Sequence, residues 1–185
     1  HAAHGSIVPA TMHQGRWIPS VSLVMANFPK ATADKPALFT RNDVSTFFHE
    51  FGHALHAMLG RTELAGQAGT SVKRDFVELP SQMLEEWLWD RQILKMVSGH
   101  YKTGEPLSDE LIDTILKLKT FDTGNFVQRQ VMLSAIALNY YLPGADKDLY
   151  AILHGMNAQY RPQFARHAAD HFYASWGHLT GYAAG

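Results

Sequence analysis

The sequence predicts a mainly α fold with a small β-sheet at the edge of a cleft. Two observations carry this prediction. Apolar residues recur at helical spacing over most of the chain beyond about residue 43, broken by recognisable caps and stops. The early stretch instead alternates, with Val21, Leu23 and Met25 set against Ser22, Val24 and Ala26. With 185 residues and 46% hydrophobic content, the chain is long enough for one core and too short to argue for two, so residues 1–185 are expected to form a single domain.

Residues 5–28 are expected to be extended or irregular, with a few short strands, because Pro9, Gly15, Pro19 and Pro29 punctuate them. Asp43 is placed to cap a first helix over residues 44–59, with Gly60 as its stop. Gly66, Gly69 and the run from Thr70 to Lys73 then give a loop or strand. Helix resumes over 79–98, with Pro80 tolerated only in its first turn. Ser108 caps a helix over 108–119 whose first turn holds Asp109 and Glu110. Further helices are expected over 124–141, 146–158 and 162–175, followed by a glycine-rich tail from Gly177. Trp87, Trp89, Phe121, Phe126, Tyr140, Tyr141, Phe164, Phe172, Tyr173 and Trp176 fall at helical spacing, which marks core or a surface buried against a partner.

Composition removes several function classes. Sixteen Lys and Arg stand against seventeen Asp and Glu, for a net charge of -1 without a basic run, which argues against a nucleic-acid surface. No stretch approaches the roughly 18 consecutive apolar residues of a membrane span, and no signal-peptide order opens the chain. The absence of cysteine excludes a disulfide scaffold and a thiolate zinc site, and fits a reducing, cytoplasmic setting.

The first helix carries His49-Glu50-Phe51-Gly52-His53, an HExxH cassette. Histidines at i and i+4 project from one helix face, close enough to share a metal ion, and Glu50 lies beside it. Such an ion acidifies a water and the glutamate removes its proton, the requirement for metal-assisted hydrolysis. A catalytic zinc usually takes three protein ligands and keeps one position open. Glu78 is the best third ligand: it lies in a largely apolar run just before Pro80, at the start of the second helix. Its competing reading is a carboxylate favoured by the helix dipole. Glu85, seven residues on and on the same face, can orient a ligand imidazole or face solvent. His56 shares the face of His49, but a histidine satisfied by a carbonyl outweighs a fourth ligand.

These residues resemble the thimet oligopeptidase family of zinc peptidases. The resemblance runs through Val24-Met25-Ala26-Asn27-Phe28, Phe48 to His56, Gly69-Thr70-Ser71-Val72, Asp75 to Gln82, and Gly177-His178-Leu179-Thr180-Gly181-Tyr182. It implies a zincin-like helical catalytic domain of the gluzincin type, with one Zn2+ held by His49, His53 and Glu78 and with Glu50 as general base. It further implies short peptides as substrates, with His178 on a substrate-contacting loop and stabilising the oxyanion. The Gly-flanked segment that holds His178 and Tyr182 suits a mobile loop whose polar groups would grip the scissile carbonyl oxygen or the peptide chain. Gly69 and Thr70 would pair with an extended peptide through backbone groups. Against the family's pattern the chain reads as a catalytic core truncated at both ends, lacking the helical wall before it and the paired tyrosines after it. The alternative is a non-catalytic zinc- or peptide-binding module, or a fragment active only with a missing partner segment or a second copy. A fourth protein ligand would favour the module.

Overall fold

The computed structural model describes residues 2–144, 146–165 and 167–181. It is mainly helical with two small two-stranded sheets. By their internal contacts the residues fall into two compact units, His1–Leu118 and Lys119–Gly185.

The first unit opens with four short strands, β1 (Ala3–Val8), β2 (Thr11–His13), β3 (Arg16–Ile18) and β4 (Val21–Met25). β2 and β3 form a hairpin whose turn, Gln14-Gly15, has both φ angles positive, at 47° and 75°. That twist matches the strands it joins, and glycine bears it without a Cβ clash. β1 and β4 pair antiparallel from Ala3 opposite Met25 to Val8 opposite Val21, with a bulge between Ser6 and Val8. His4 sits opposite Val24 in this ladder.

Helix α1 (Arg41–Leu59) packs on β1, on β4 and most extensively on α3 (Leu79–Glu86). Its start differs from expectation. Thr40 is the N-cap and Asp43 stands at N3, so the two close a capping box: Asp43 N–H donates to Thr40 Oγ1, and Thr40 N–H donates to Asp43 Oδ2. Thr40 therefore takes the place expected for Asp43, because its extended backbone leaves it outside the helix. Gly60 ends α1, its N–H donating to the His56 carbonyl.

α1 and α3 approach closely at Gly52. A Cβ there would meet Ser81 Cα at 2.6 Å and the Pro80 carbonyl at 2.8 Å. The short helix α2 (Arg74–Val77) leads into α3 through Glu78, the N-cap of α3. The helix expected over 79–98 is broken: α3 ends at Glu86, a tight turn spans Trp87–Trp89, and α4 (Arg91–Val97) starts afresh. Asp90 is the cause, since its side chain accepts from the N–H groups of Gln92 and Ile93 and holds its own backbone extended. The Arg41 guanidinium lies 3.8 Å over the Trp89 ring, tying α1 to that turn. α5 (Asp109–Leu118) follows, Ser108 accepting from Leu111 N–H as expected.

The second unit packs α6 (Thr123–Tyr141) against α7 (Leu149–Tyr160) around Met132, Ile136 and Leu153, with Tyr140, Phe172, Tyr173 and Trp176 against that core. Phe121, Phe126, Tyr141 and Phe164, and Trp87 of the first unit, are exposed and so lie outside the core. The helix expected over 162–175 does not form. Among the described residues only a turn at Phe172–Ala174 is helical there, because the His167 and Asp170 side chains accept from nearby backbone N–H groups and set turns. Beyond it, α8 (His178–Gly181) is a short helix where a mobile loop was expected. Among the described residues no helix is long and apolar enough to cross a membrane.

Candidate metal centre

The helical repeat sets His49 and His53 side by side on α1, their rings 4.9 Å apart and nearly perpendicular. Glu78 reaches them from the N-cap of α3. Its Oε2 lies 3.3 Å from His49 Nε2 and 3.2 Å from His53 Nε2. These three ligand atoms lie within 4.8 Å of one another, and among the described residues no other His, Asp or Glu group converges so. A tetrahedral ion with bonds of about 2.0–2.2 Å sets its ligand atoms roughly 3.3–3.6 Å apart, so two imidazoles and one carboxylate fit a zinc ion here.

Further residues hold this set in place. Glu85 Oε1 lies 2.7 Å from His49 Nδ1. A proton on Nδ1, donated to that carboxylate, leaves the Nε2 lone pair facing the cluster. Ser45 donates to the other oxygen of Glu85 at 3.2 Å. Ser81, completely buried, donates from Oγ both to the Glu78 carbonyl and to Glu78 Oε2, each at 2.9 Å. Sequence reasoning singled out neither Ser45 nor Ser81, since a lone serine carries no pattern. The one available signal is position: Ser81 lies three residues after Glu78, where a hydroxyl can reach back to a helix start.

Glu50 is buried on the neighbouring face of α1, at 7% exposure. A hollow of about 280 Å3 beside it is bounded by Asn42, Thr46, His49 and Glu85. A second, of about 430 Å3, is lined by Asp75, Glu78, Gln82 and Glu86. His56 stays outside the cluster, its ring 5.9 Å edge-on to Phe76. Burial, and then the charge of His53, hold His56 below the ordinary histidine pKa. His4 is held down likewise, by burial and then by His53 and His56. Gly69, with φ at 55°, donates its N–H to Gly60 O at 2.6 Å and abuts Ala57, with Thr70 half-buried beside it. His178 opens α8 in the second unit, and Tyr182 lies outside the described residues.

Two histidines of an HExxH helix meeting a glutamate from the start of another helix form a ligand arrangement that suits a metallopeptidase. Comparison with known proteins narrows this further. Peptidase family M3 matches the whole chain, residues 1–185, and the protein belongs to that family. Oligopeptidase A of Escherichia coli (strain K12) is 50% identical over 112 residues, which are 60% of this chain and 16% of that protein. Saccharolysin of Saccharomyces cerevisiae is 44% identical over the same length and shares. The organellar, chloroplastic/mitochondrial oligopeptidase A of Arabidopsis thaliana is 36% identical over 173 residues, 89% of this chain and 22% of the relative. The chain thus spans about a sixth to a quarter of the length of these relatives.

Proposed function

We propose that this chain carries the catalytic centre of a zinc oligopeptidase that hydrolyses peptide bonds in short peptides. His49, His53 and Glu78 hold one zinc ion, and Glu50 is the general base. The supporting observation is the meeting of two imidazole nitrogens and one carboxylate oxygen at 3.2–3.3 Å from two different helices, with Glu85 on His49 Nδ1. When bound, zinc supplies a Lewis acid that acidifies a water and polarises a carbonyl. Glu50, one residue from His49 and open to the hollow beside it, takes the proton of the attacking water and returns it to the leaving amine. His178 and Tyr182 are candidate substrate contacts in this reading on the strength of their motif alone. The Gly69 N–H is engaged at Gly60, so peptide pairing on that segment would use the Gly69 carbonyl together with Thr70. A reducing compartment is part of the reading, supported by the absence of cysteine.

The test combines metal analysis with hydrolysis of a quenched fluorescent peptide, with and without chelator. The expected outcome is stoichiometric zinc and hydrolysis lost on chelation. Glu50→Gln should keep the zinc and lose turnover, and unchanged turnover in that variant refutes the assigned base. The reading of a closed, purely structural zinc site needs a fourth protein ligand, and His56 is not among the converging groups.

A further inference from the structure

Three shielded ring nitrogens, His4 Nε2, His53 Nδ1 and His56 Nδ1, have no hydrogen-bond partner among the described residues, and the last two belong to residues three apart on α1. The His4 ring, in β1, stands 6.1 Å from the His53 ring and is tilted 34° to it. Shielded polar atoms in folded proteins are nearly always hydrogen-bonded, and a buried water typically makes about three such bonds.

We propose that His4 is a positioning residue for the metal ligand His53, joined to it, together with His56, through one shared water. This rests on the zinc reading above. With Nε2 on the metal, His53 must carry its proton at Nδ1 and needs an acceptor there. A water accepts that proton and donates its own two, one to His4 Nε2 and one to His56 Nδ1. All three nitrogens are thereby satisfied by one molecule, with each ring in a single neutral tautomer. A water bridging two ring nitrogens sets them about 5–6 Å apart, within reach of rings spaced as His4 and His53 are. The network dictates tautomers: His4 protonated at Nδ1, His56 at Nε2.

The test is zinc affinity of the full chain by competition with a chelator, for the parent, His4→Leu and His4→Gln. Lost partners of metal-bound histidines typically cost 10–100-fold in affinity. His4→Leu should weaken zinc binding about tenfold, and His4→Gln, whose amide oxygen accepts where Nε2 did, should recover to within about threefold of the parent. Parent-like affinity in His4→Leu, or equal losses in both variants, overturns the inference while leaving the zinc reading intact. A parent chain that binds no zinc overturns both. Should His4→Leu fail to fold, nuclear magnetic resonance of nitrogen-labelled histidines in the zinc-loaded parent decides: His4 protonated at Nε2 overturns the network, and protonation at Nδ1 supports it.

Discussion

At the scale of single residues, the proposed centre depends on side chains that never touch the ion. Ser81 is the sharpest case, because its one hydroxyl fixes both the backbone carbonyl and the Oε2 of Glu78 from a fully buried position. Ser81→Ala leaves that carboxylate oxygen free to swing, and zinc affinity should fall about tenfold, measured by chelator competition. The stability cost should be on the order of 0.5–1.5 kcal/mol, the net worth of one hydrogen bond, since Glu78 is only half-buried and its carbonyl still accepts from the Gln82 N–H. Tyr140 gives a pH prediction in the second unit. Its hydroxyl donates to the Leu149 carbonyl, and burial, then Tyr173, push its pKa up to about 12 from 10.0. The folded state thus holds the phenol proton more tightly than the unfolded chain. That contribution is complete below pH 10 and is lost as pH rises from about 10 to 12. Chemical denaturation across this range should show an alkaline fall in stability that Tyr140→Phe reduces. The HExxH pair was legible because i, i+4 spacing fixes a shared face. Ser81, Ser45 and His4 were not, since their significance comes from partners 3, 40 and 49 residues away.

Between elements, the decisive contact is the crossing of α1 and α3, which brings Glu78 to the histidines. Gly52 permits it, and both atoms nearest to an added Cβ belong to the backbone of the opposing helix start, so they cannot rotate away. Gly52→Ala should therefore force the helices apart, at about 1–3 kcal/mol of overpacking strain. It should also weaken zinc binding, because the separation it imposes lies on the path between His53 and Glu78. Thermal melts and metal titration together check this, and a variant as stable and as tight-binding as the parent would refute the close-approach argument. Helix starts with strong local chemistry were readable from sequence: Ser108 before α5, and Pro80 fixing α3 close to Glu78. Where the reading failed, a short polar side chain had captured the backbone. Asp90 split one expected helix into two, and Asp170 with His167 turned another into loops. Apolar periodicity passes smoothly through such points, so it cannot reveal them.

For the molecule as a whole, the proposed ligands and the groups that hold them all come from residues before Leu118, within the first of the two compact units. They are gathered from the ends and faces of elements distant in sequence: a strand near residue 4, a helix at 49–53 and a helix start at 78–85. A ligand set of this kind scarcely exists in an unfolded chain, so metal binding must act as folding free energy. At zinc concentrations of about 100 times the dissociation constant, linkage predicts roughly 2.7 kcal/mol of added stability. The gain should appear first in the amides of α1 and α3, which the ion would bridge, as slower hydrogen exchange on adding zinc and a return to the metal-free rate with chelator. His53→Ala should abolish the gain, because it removes one of the two imidazoles that share the ion with Glu78. Zinc-independent exchange in α1 and α3 of the parent would mean that no ion joins the two helices, and the proposed peptidase chemistry would lose its physical basis.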